Sequence, residues 1–443
     1  MNSTAAGGII EKRTPKEAES VENRTYLCID LKSFYASVEC VERGLDPMTT
    51  NLVVADPERS TGTICLAITP AMKALGVKNR CRVYEIPAGI DYITAVPRMQ
   101  KYIDYAADIY GIYLRYVAPE DIHVYSVDEA FLDVTGYLKT YKKTGKEMAV
   151  FLMDEITKQL GVRSTAGVGT NLYLAKIALD ITAKHSPDFI GELSEASYRR
   201  TLWDHRPLTD FWRIGHGTAR RLAGMGITTQ RGIAMAEENA LYREFGIDAE
   251  LMIDHAWGRE TATMADIKAY RSQSSSLSSG QVLMRDYTAD EARLILREMT
   301  DSLCLDMVSK GVVTDSIGVY VGYSDTKAAP PAKGTAALGT ATSADSIIIP
   351  AAVALYDRII DPSLPIRRLN IATGALSQEG EGFQQSLFEE PGRDRERNRK
   401  LQRAILSIHR KYGKNSVLKG MDLEEAATRR ERNGQIGGHK SGT

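Results

Sequence analysis

The most informative stretch of this chain is VYSVDEAFLD, residues 124–133. It places two adjacent carboxylates, Asp128 and Glu129, in a run of apolar, β-branched and aromatic residues typical of a buried strand. Ionised carboxylates are costly to bury unless they are paired or bound to a cation. In a regular strand the two side chains would point to opposite faces, so they converge on one ion only at a strand end, a bulge or a tight hairpin. The alternative, with Asp128 in a turn and Glu129 on a solvated face, stays open on this segment alone.

A second segment, YLCIDLKSFYASVE at residues 26–39, favours the cation. It begins as a short apolar strand, reaches Asp30 and then predicts a helix that begins at Ser33. An Asp at the end of a strand is well placed to bind a hard cation. If the two strands are neighbours, Asp30, Asp128 and Glu129 meet as oxygen ligands for Mg²⁺, the arrangement of two-metal phosphoryl transfer.

Together the two segments resemble the catalytic signature of the Y-family translesion DNA polymerases, in the UmuC-like (ImpB/MucB/SamB-type) branch of bacteria. The motifs DLKSFYASVE and YSVDEAFLD stand in the family's order, about a hundred residues apart, with matching flanking aromatic residues. Further matches extend over nearly the whole chain. The resemblance implies an α+β multidomain protein with the right-hand architecture of palm, fingers, a helical thumb with a helix-hairpin-helix, and an α+β little-finger domain.

The same resemblance implies an activity and its cofactor. The protein would be a DNA-directed DNA polymerase of low fidelity that copies past damaged bases, joining dNTPs to a primer 3′-hydroxyl on primer–template DNA. Asp30, Asp128 and Glu129 would be the catalytic and metal-binding residues, with the backbone carbonyl of Leu31 as a further ligand to two Mg²⁺ ions. Such a site needs no protein general base, so the absence of a suitable His nearby is no objection.

Three residues are assigned to the incoming nucleotide by resemblance. Tyr35, next to Phe34, matches the aromatic steric gate that clashes with a ribose 2′-hydroxyl and so selects dNTPs. Lys73 lies on a helix opened by Pro70 and matches the basic residue that contacts the triphosphate. A lysine acts there as a flexible point charge. The alternatives, a core tyrosine on a helix and a surface lysine on an amphipathic helix, stay open.

The segment GVGTNLYLAKIA, residues 167–178, resembles the family's third motif but departs from it. Many members carry a phosphate-contacting lysine where this chain has Thr170 or Leu172. Lys176 matches the Ala-Lys pair of the motif and has a structural alternative. The Gly-x-Gly at the start is neither a Rossmann nor a P-loop fingerprint, because no GxGxxG or Gly-Lys-Ser/Thr follows.

A run of short helical segments contains IGHGTARRLAGMGI, residues 214–227. Its Gly-x-Gly turn and the following helix predict a helix-hairpin-helix. Backbone N–H groups at such a turn can approach a DNA phosphate, which assigns DNA contacts to Gly215, Gly217 and Thr218. A plain helix–turn–helix corner is the alternative.

The pattern of elements divides the chain into six parts. The little-finger part has no excess of basic residues, so DNA binding there would depend on local cations such as Arg285, Arg367 and Arg368. The predicted parts are a disordered lead-in (1–23), the palm and fingers (24–195, fingers about 45–98), the thumb (196–268), a linker (269–280), the little finger (281–378) and a flexible tail (379–443).

The tail contains FQQSLFE, residues 383–389, which resembles the bacterial sliding-clamp-binding peptide. Gln384, Leu387 and Phe388 would bind the clamp, since an exposed Leu-Phe pair favours a pocket; packing on their own domain is the alternative. A basic helix is predicted over 395–412 and a mobile Gly-rich end over 433–438. Residues 393–443 carry 14 Lys/Arg and 6 Asp/Glu, a net +8 that indicates either a solvated face or affinity for phosphates. No function is assigned to 414–443.

Composition argues against several classes of protein. The 443 residues allow two to four domains, and the 43% hydrophobic and 26% charged fractions are those of an ordinary globular protein. No apolar run approaches the roughly 18 residues of a membrane span, and the polar N-terminus has no signal-peptide core. The five cysteines form no CxxC and the seven histidines no HxxxH, which argues against a zinc site or disulfides and for a reducing cytoplasm.

Two other functions share these features. One is a non-catalytic clamp- and DNA-binding damage-tolerance factor that retains the polymerase fold, although the intact Asp30, Asp128 and Glu129 argue against it. The other is a two-metal nuclease, which would not need Tyr35 or the clamp peptide. The resemblance also allows an accessory subunit, as UmuC-like proteins can have, and a place in the SOS response to DNA damage.

Overall fold

The structure, a computed structural model, describes residues 24–59, 62–271, 276–325, 329–379 and 393–442. The contacts within the chain group these residues into two units. The first contains residues 24–55, 64–95 and 102–270, and the second contains residues 56–63, 96–101 and 271–442. The predicted lead-in and the predicted clamp peptide both lie outside the described residues.

The helices and strands up to residue 270 are, in chain order, β1 (Tyr26–Leu31), α1 (Phe34–Val41), β2 (Leu52–Val54), β3 (Ala67–Ile68), α2 (Pro70–Ala74), β4 (Ile93–Ala95), α3 (Met99–Tyr113), β5 (Ile122–Val124), β6 (Glu129–Asp133), α4 (Leu138–Tyr141), α5 (Gly145–Leu160), β7 (Ser164–Gly169), α6 (Leu172–Ile177), β8 (Ile190–Leu193), α7 (Glu195–Thr201), α8 (His216–Gly224), α9 (Gln230–Ala234), α10 (Glu238–Phe245), α11 (Asp248–Trp257) and α12 (Met264–Ala269). Those that follow are β9 (Ser278–Tyr287), α13 (Ala289–Lys310), β10 (Val312–Tyr323), β11 (Ala332–Thr342), α14 (Asp345–Ile359), β12 (Ile366–Thr373), β13 (Leu376–Gln378), α15 (Arg393–Tyr412), α16 (Arg429–Asn433), β14 (Gln435–Ile436) and β15 (His439–Lys440).

The first unit is built on a five-stranded sheet with the order β5-β6-β1-β7-β8. Strand β1 is central and antiparallel to both neighbours, and its apolar residues are buried, as the sequence YLCIDL predicts. Strands β5 and β6 form a tight hairpin, so the stretch 124–133 is two strands with a turn between them. Asp128 is the last residue of that turn and Glu129 the first residue of β6.

Helix α6 lies unusually close to strand β7. A Cβ atom added at Gly167 would stand 2.0 Å from the carbonyl oxygen of Ala175, and one added at Gly169 would stand 2.2 Å from the Ala175 nitrogen. Only glycine admits a helix backbone at that distance. The Gly-x-Gly of this segment therefore serves close packing of a helix on a strand. Helix α6 ends at Ile177 and continues as a π-helical turn at Ala178–Thr182.

Smaller elements complete the first unit. A three-stranded sheet, β3-β2-β4, has its own apolar core, and helices α7 to α11 pack around a separate core. Helix α5 begins at Gly145 because Thr144 and Glu147 form a capping box. It ends at Gly161, whose backbone is left-handed.

The second unit contains a sheet with the order β11-β10-β12-β9, in which β13 also pairs with β10. Helices α13 and α14 pack against this sheet and share its apolar core. A capping box of Thr288 and Glu291 begins α13, and left-handed Gly311 ends it. In the part of the chain that the structure describes, no helix is long and apolar enough to cross a membrane.

The C-terminal segment differs from the predicted flexible tail. The basic helix over 395–412 is confirmed as α15, but the Gly-rich end forms the β14–β15 hairpin. The segment is held on α13 because Glu298 accepts bonds from the backbone N–H groups of Thr428 (3.0 Å) and Arg429 (3.2 Å). The Arg429 guanidinium also pairs with Asp301. Both ionic side chains of that pair are buried, so the segment is a fixed part of this unit.

Candidate active site

The structure brings the three predicted carboxylates to one end of the central strand. Asp30 lies near the end of β1 and pairs in register with Glu129 of β6. The backbone N–H of Leu31 donates to the carbonyl oxygen of Asp128 at 2.9 Å, which fixes the turn beside the strand end. The Asp128 carboxylate accepts a bond from the Ser126 hydroxyl at 2.7 Å.

Asp30 is largely buried and makes no ion pair among the residues that the structure describes. Burial, followed by the negative charges of Asp128 and Glu129, raises the pKa of its carboxyl from 3.8 to about 7. Lys176 acts in the opposite direction but does not outweigh them. The Asp30 carboxyl is therefore harder to ionise than an exposed aspartate.

Glu129, in contrast, is neutralised by the chain itself. One carboxylate oxygen accepts a bond from the Lys176 ammonium at 2.9 Å, and the other accepts one from the Cys28 thiol at 3.1 Å. Lys176 also pairs with Asp180 at 3.1 Å. Burial lowers the pKa of Lys176, but the neighbouring Asp180, Cys28 and Glu129 outweigh burial and raise it above its usual range. The lysine of the third motif thus lies in the active site, a partner that sequence reasoning did not identify.

The donor set suits a hard divalent cation by chemistry. It offers carboxylate oxygens and the nearby backbone carbonyl of Leu31, the ligands that Mg²⁺ prefers. The raised pKa of Asp30 indicates that its surroundings disfavour the ionised carboxylate, which a bound cation would stabilise. Within the described ranges, no three His, Cys, Asp or Glu side chains are already clustered closely enough to hold a metal. The residues fit the ion by type and charge.

The predicted steric gate lies next to these carboxylates. The ring of Tyr35 is half-buried and stacks on Tyr102 at 4.4 Å between centroids with an angle of 13° between planes. Burial, followed by the charge of Asp128, raises the pKa of the Tyr35 hydroxyl. Phe34 is 3% exposed and belongs to the core, so its ring has almost no surface to offer a nucleotide.

Cations line the approach to Asp30. Lys73 follows the first turn of α2, where Thr69 accepts a bond from the backbone of Met72. Its side chain has solvent-exposed area, yet enough protein surrounds the ammonium that burial lowers its pKa, against the attraction of Asp30. The pKa of Lys32 is also lowered, first by burial and then by Lys73 and Arg163.

Three basic residues that the sequence analysis did not select lie near Lys73 or near one another: Lys32, Arg163 and Lys184. Lys32 holds its ammonium 3.5 Å from the centroid of the Phe189 ring, and Lys184 lies close enough to Lys73 to lower its pKa. The sequence analysis did not select them as a group, because they are far apart along the chain and no single motif contains all three.

The helix-hairpin-helix residues lie at the start of α8. Gly215 is the N-cap, and Gly217 and Thr218 belong to the first turn. A Cβ atom added at either glycine would meet nothing within 4 Å, so the backbone here is open to an incoming group. Thr218 also lines a cavity of about 270 Å³ beneath the turn, together with the fully buried Gln230.

The arginines named for the little finger differ in their availability. Arg285 pairs with Glu291 at 2.6 Å, and Arg367 pairs with Asp286 at 3.3 Å. Arg368 is exposed on β12 and has no ion pair among the residues that the structure describes. Of the three, Arg368 is the one open to a phosphate.

Comparison with known proteins agrees with this geometry. The model of the impB/mucB/samB family matches residues 29–180, and the model of the impB/mucB/samB family C-terminal domain matches residues 274–387. The first match spans Asp30, Asp128, Glu129 and Lys176, and the second spans the sheet of the second unit.

Full-length relatives match nearly the whole chain. UvrX of Bacillus subtilis, whose name describes UV-damage repair, is 30% identical over 94% of this chain and 98% of the relative. DNA polymerase IV 2 of the same organism is 28% identical over 95% and 99%. A solved Y-family DNA polymerase chimera of Dbh and Dpo4 aligns with a TM-score of 0.59 and 20% identity, covering 79% of this chain and 98% of the chimera. The predicted α+β multidomain fold is thereby confirmed, and the chain belongs to the impB/mucB/samB family of Y-family DNA polymerases.

Proposed function

We propose that this protein is a low-fidelity DNA polymerase that performs translesion synthesis by two-metal transfer of dNTPs to a primer 3′-hydroxyl. The observation that carries the proposal is the convergence of Asp30, Asp128 and Glu129 at the end of β1, where burial and the neighbouring carboxylates raise the pKa of Asp30. A pair of divalent cations would stabilise the ionised carboxylates.

Asp30, Asp128, Glu129 and the carbonyl of Leu31 would hold two Mg²⁺ ions. When bound, such ions lower the pKa of the primer hydroxyl and neutralise the triphosphate. The chain's own basic residues would bind the same nucleotide. Lys73, with Lys32, Arg163 and Lys184 around it, would bind the triphosphate oxygens and orient the nucleotide.

Tyr35 would select the sugar. Its ring is held flat against Tyr102, so it cannot swing aside without losing an aromatic stack. A ribose 2′-hydroxyl directed at a fixed ring meets a steric clash, whereas a deoxyribose does not. Phe34, buried beneath, would support the position of Tyr35 and not touch the nucleotide.

DNA would be held chiefly by its phosphates. The open backbone at Gly215 and Gly217 suits a phosphate at the N-terminus of α8, and Thr218 adds a hydroxyl. Such contacts do not read the sequence, as a polymerase requires. Gln384, Leu387 and Phe388 lie outside the described residues, and their binding to a sliding clamp is part of the proposal. Deleting 384–388 should leave distributive synthesis intact and remove stimulation by the clamp; equal stimulation would refute this part.

Primer extension tests the activity. Full-length protein, Mg²⁺ and dNTPs would be given an undamaged template and one with a single abasic site. The Asp128→Ala/Glu129→Ala variant should lose extension on both, and Asp154→Ala, which removes an exposed carboxylate on α5, should keep it. Bypass of the abasic site supports lesion tolerance. Intact DNA binding without extension would favour the non-catalytic factor, and loss of primer without dNTPs would favour the nuclease.

A further inference from the structure

The C-terminal segment forms one wall of a cavity that no assigned function uses. The cavity measures about 480 Å³ and lies within the second unit, between strand β9 and the β14–β15 hairpin. Gln281, Val282 and Met284 line it from β9, while residues of α16 and the hairpin line the opposite side. This wall is fixed at the start of α16, because Glu298 and Asp301 bind Thr428 and Arg429 there. It lies beyond the match to the C-terminal family model, which ends at residue 387.

The charged groups of the cavity are mainly cationic. Arg59 and Arg432 face it together with His439, and Glu431 is the only acidic residue of the described lining. The Glu431 carboxylate accepts a bond from the Gln435 amide at 3.3 Å and has no ion pair with either arginine in the part of the chain described. Burial, and then Arg59, lowers the pKa of His439 below 6.5, so it contributes a neutral imidazole near pH 7.

Arg432 is the group that the chain leaves unsatisfied. Its guanidinium is half-buried, and it makes no side-chain hydrogen bond or ion pair among the described residues. Burial lowers its pKa, the nearby Glu298 raises it, and Arg429 lowers it again. A guanidinium that is partly desolvated without a partner is destabilising until an anion reaches it.

Arg59 is only partly satisfied. One of its terminal nitrogens donates to the carbonyl oxygen of Gly438 at 2.6 Å, which fixes the guanidinium against the hairpin. Its Nε is buried without a hydrogen bond and lies 3.5 Å from the Asp56 carboxylate. Two arginines therefore face one polar cavity, and one of them is wholly free to bind.

We propose that this cavity binds a phosphate of the nucleic-acid backbone, with Arg432 as its main ligand. The planar guanidinium fork matches the oxygens of a phosphodiester. Exposed apolar side chains border the cations on β9, where Val282 is 62% exposed, and would cover the adjoining sugar. The net +8 of residues 393–443 favours the approach of a polyanion. This proposal rests on the proposed function and extends the DNA contacts to a segment outside the family model.

The test is the salt dependence of DNA binding by the full-length protein. Fluorescence anisotropy of a labelled primer–template would be measured in EDTA between about 50 and 200 mM KCl. Arg432→Ala should weaken binding about tenfold and lower the slope of log affinity against log salt by about 0.9, the value for one phosphate contact. Arg430→Ala is the matched control, because Arg430 is an exposed arginine two residues away that does not line the cavity. Its slope should equal that of the unmodified protein.

Equal slopes for the two variants would overturn the proposal. If Arg432→Ala unfolds at the assay temperature, Arg432→Gln takes its place, since it keeps hydrogen-bond donors and removes only the charge. A free phosphate or nucleotide is the competing source. Calorimetric titration of orthophosphate and of dATP in EDTA would detect binding of such a ligand. If Arg432→Ala lost that binding while its affinity for DNA stayed unchanged, the nucleic-acid ligand would be refuted. Failure of the unmodified protein to bind or extend primer–template DNA would instead refute the proposed function.

Discussion

Replacing Asp30 by Asn should make the metal-free protein more stable while it abolishes catalysis. Asp30 is largely buried beside two other carboxylates, and these surroundings raise its pKa from 3.8 to about 7. An amide keeps the shape of the carboxylic acid and carries no charge at any pH. The substitution therefore removes the unfavourable ionisation without opening a cavity.

The sign and size follow from proton linkage. Below about pH 4 Asp30 is protonated in both the folded and the unfolded protein, so it has no effect. Between about pH 4 and pH 7 the unfolded chain releases the proton and the folded chain keeps it, so the free energy of unfolding falls as pH rises. A shift from 3.8 to about 7 corresponds to about 4 kcal/mol at most, fully expressed above pH 7. Asp30→Asn should recover up to that amount near pH 8 and almost none near pH 4.

Urea unfolding in EDTA, followed by tryptophan fluorescence, measures this difference. All three tryptophans lie between residues 203 and 257, in the same unit as Asp30, so the signal reports the relevant transition. Asp154→Asn, the same change at an exposed position of α5, should alter stability little at either pH. A stabilisation by Asp30→Asn that is equal near pH 4 and pH 8, or absent at both, would refute the electrostatic argument.

Three further predictions concern single side chains. Tyr35→Ala should allow incorporation of ATP opposite template thymine, because it removes the ring that stacks on Tyr102. Tyr84→Ala, at a residue 65% exposed, should not. Unchanged discrimination of Tyr35→Ala against ribonucleotides in single-nucleotide extension would contradict the steric gate. Lys176→Met should lower the free energy of unfolding in EDTA by about 3 kcal/mol, because it leaves Glu129 buried without its cation, and an effect no larger than that of the exposed Lys158→Met would be evidence against this. Gly167→Ala should lower the free energy of unfolding by about 2–4 kcal/mol, since its Cβ would meet the Ala175 carbonyl at 2.0 Å. Gly136→Ala, with open space around it, should lower the free energy of unfolding by less than about 1 kcal/mol. Equal losses for the two variants in urea unfolding would show that α6 can shift.

The sequence predicts that Asp30, Asp128 and Glu129 lie together because each lies in a short motif with its own local signal. Asp30 follows an apolar strand, and Asp128 and Glu129 interrupt another, so pairing of the two strands is enough to bring them together. The turn at Asp128 follows from the alternation of side chains in a strand. The geometry of this site thus needs one long-range assumption, that β1 and β6 are neighbours.

Features that depend on several distant partners are not predictable in this way. The Lys176 ammonium reaches Glu129 across 47 residues, and Arg429 reaches Asp301 across 128. The Gly-rich end is predicted to be mobile because the partner that anchors the preceding Thr428, Glu298, lies in α13, in another part of the sequence. Similarly, Gly167 has no local signature for close packing, since the atom it avoids belongs to the next helix.

Glu129 and Asp30 lie in different electrostatic surroundings, and this difference affects how the site would bind a metal ion. Glu129 pairs with Lys176, whereas Asp30 makes no ion pair among the described residues and its pKa is raised to about 7. Below about pH 7 a divalent ion that binds Asp30 must therefore displace a proton, and its apparent affinity should rise about tenfold for each pH unit up to about pH 7 and then level. In Asp30→Asn this pH dependence should vanish. The expected destabilisation of up to about 4 kcal/mol in the metal-free protein and the pH dependence of metal binding are then two measurements of one charge, and they should agree in size.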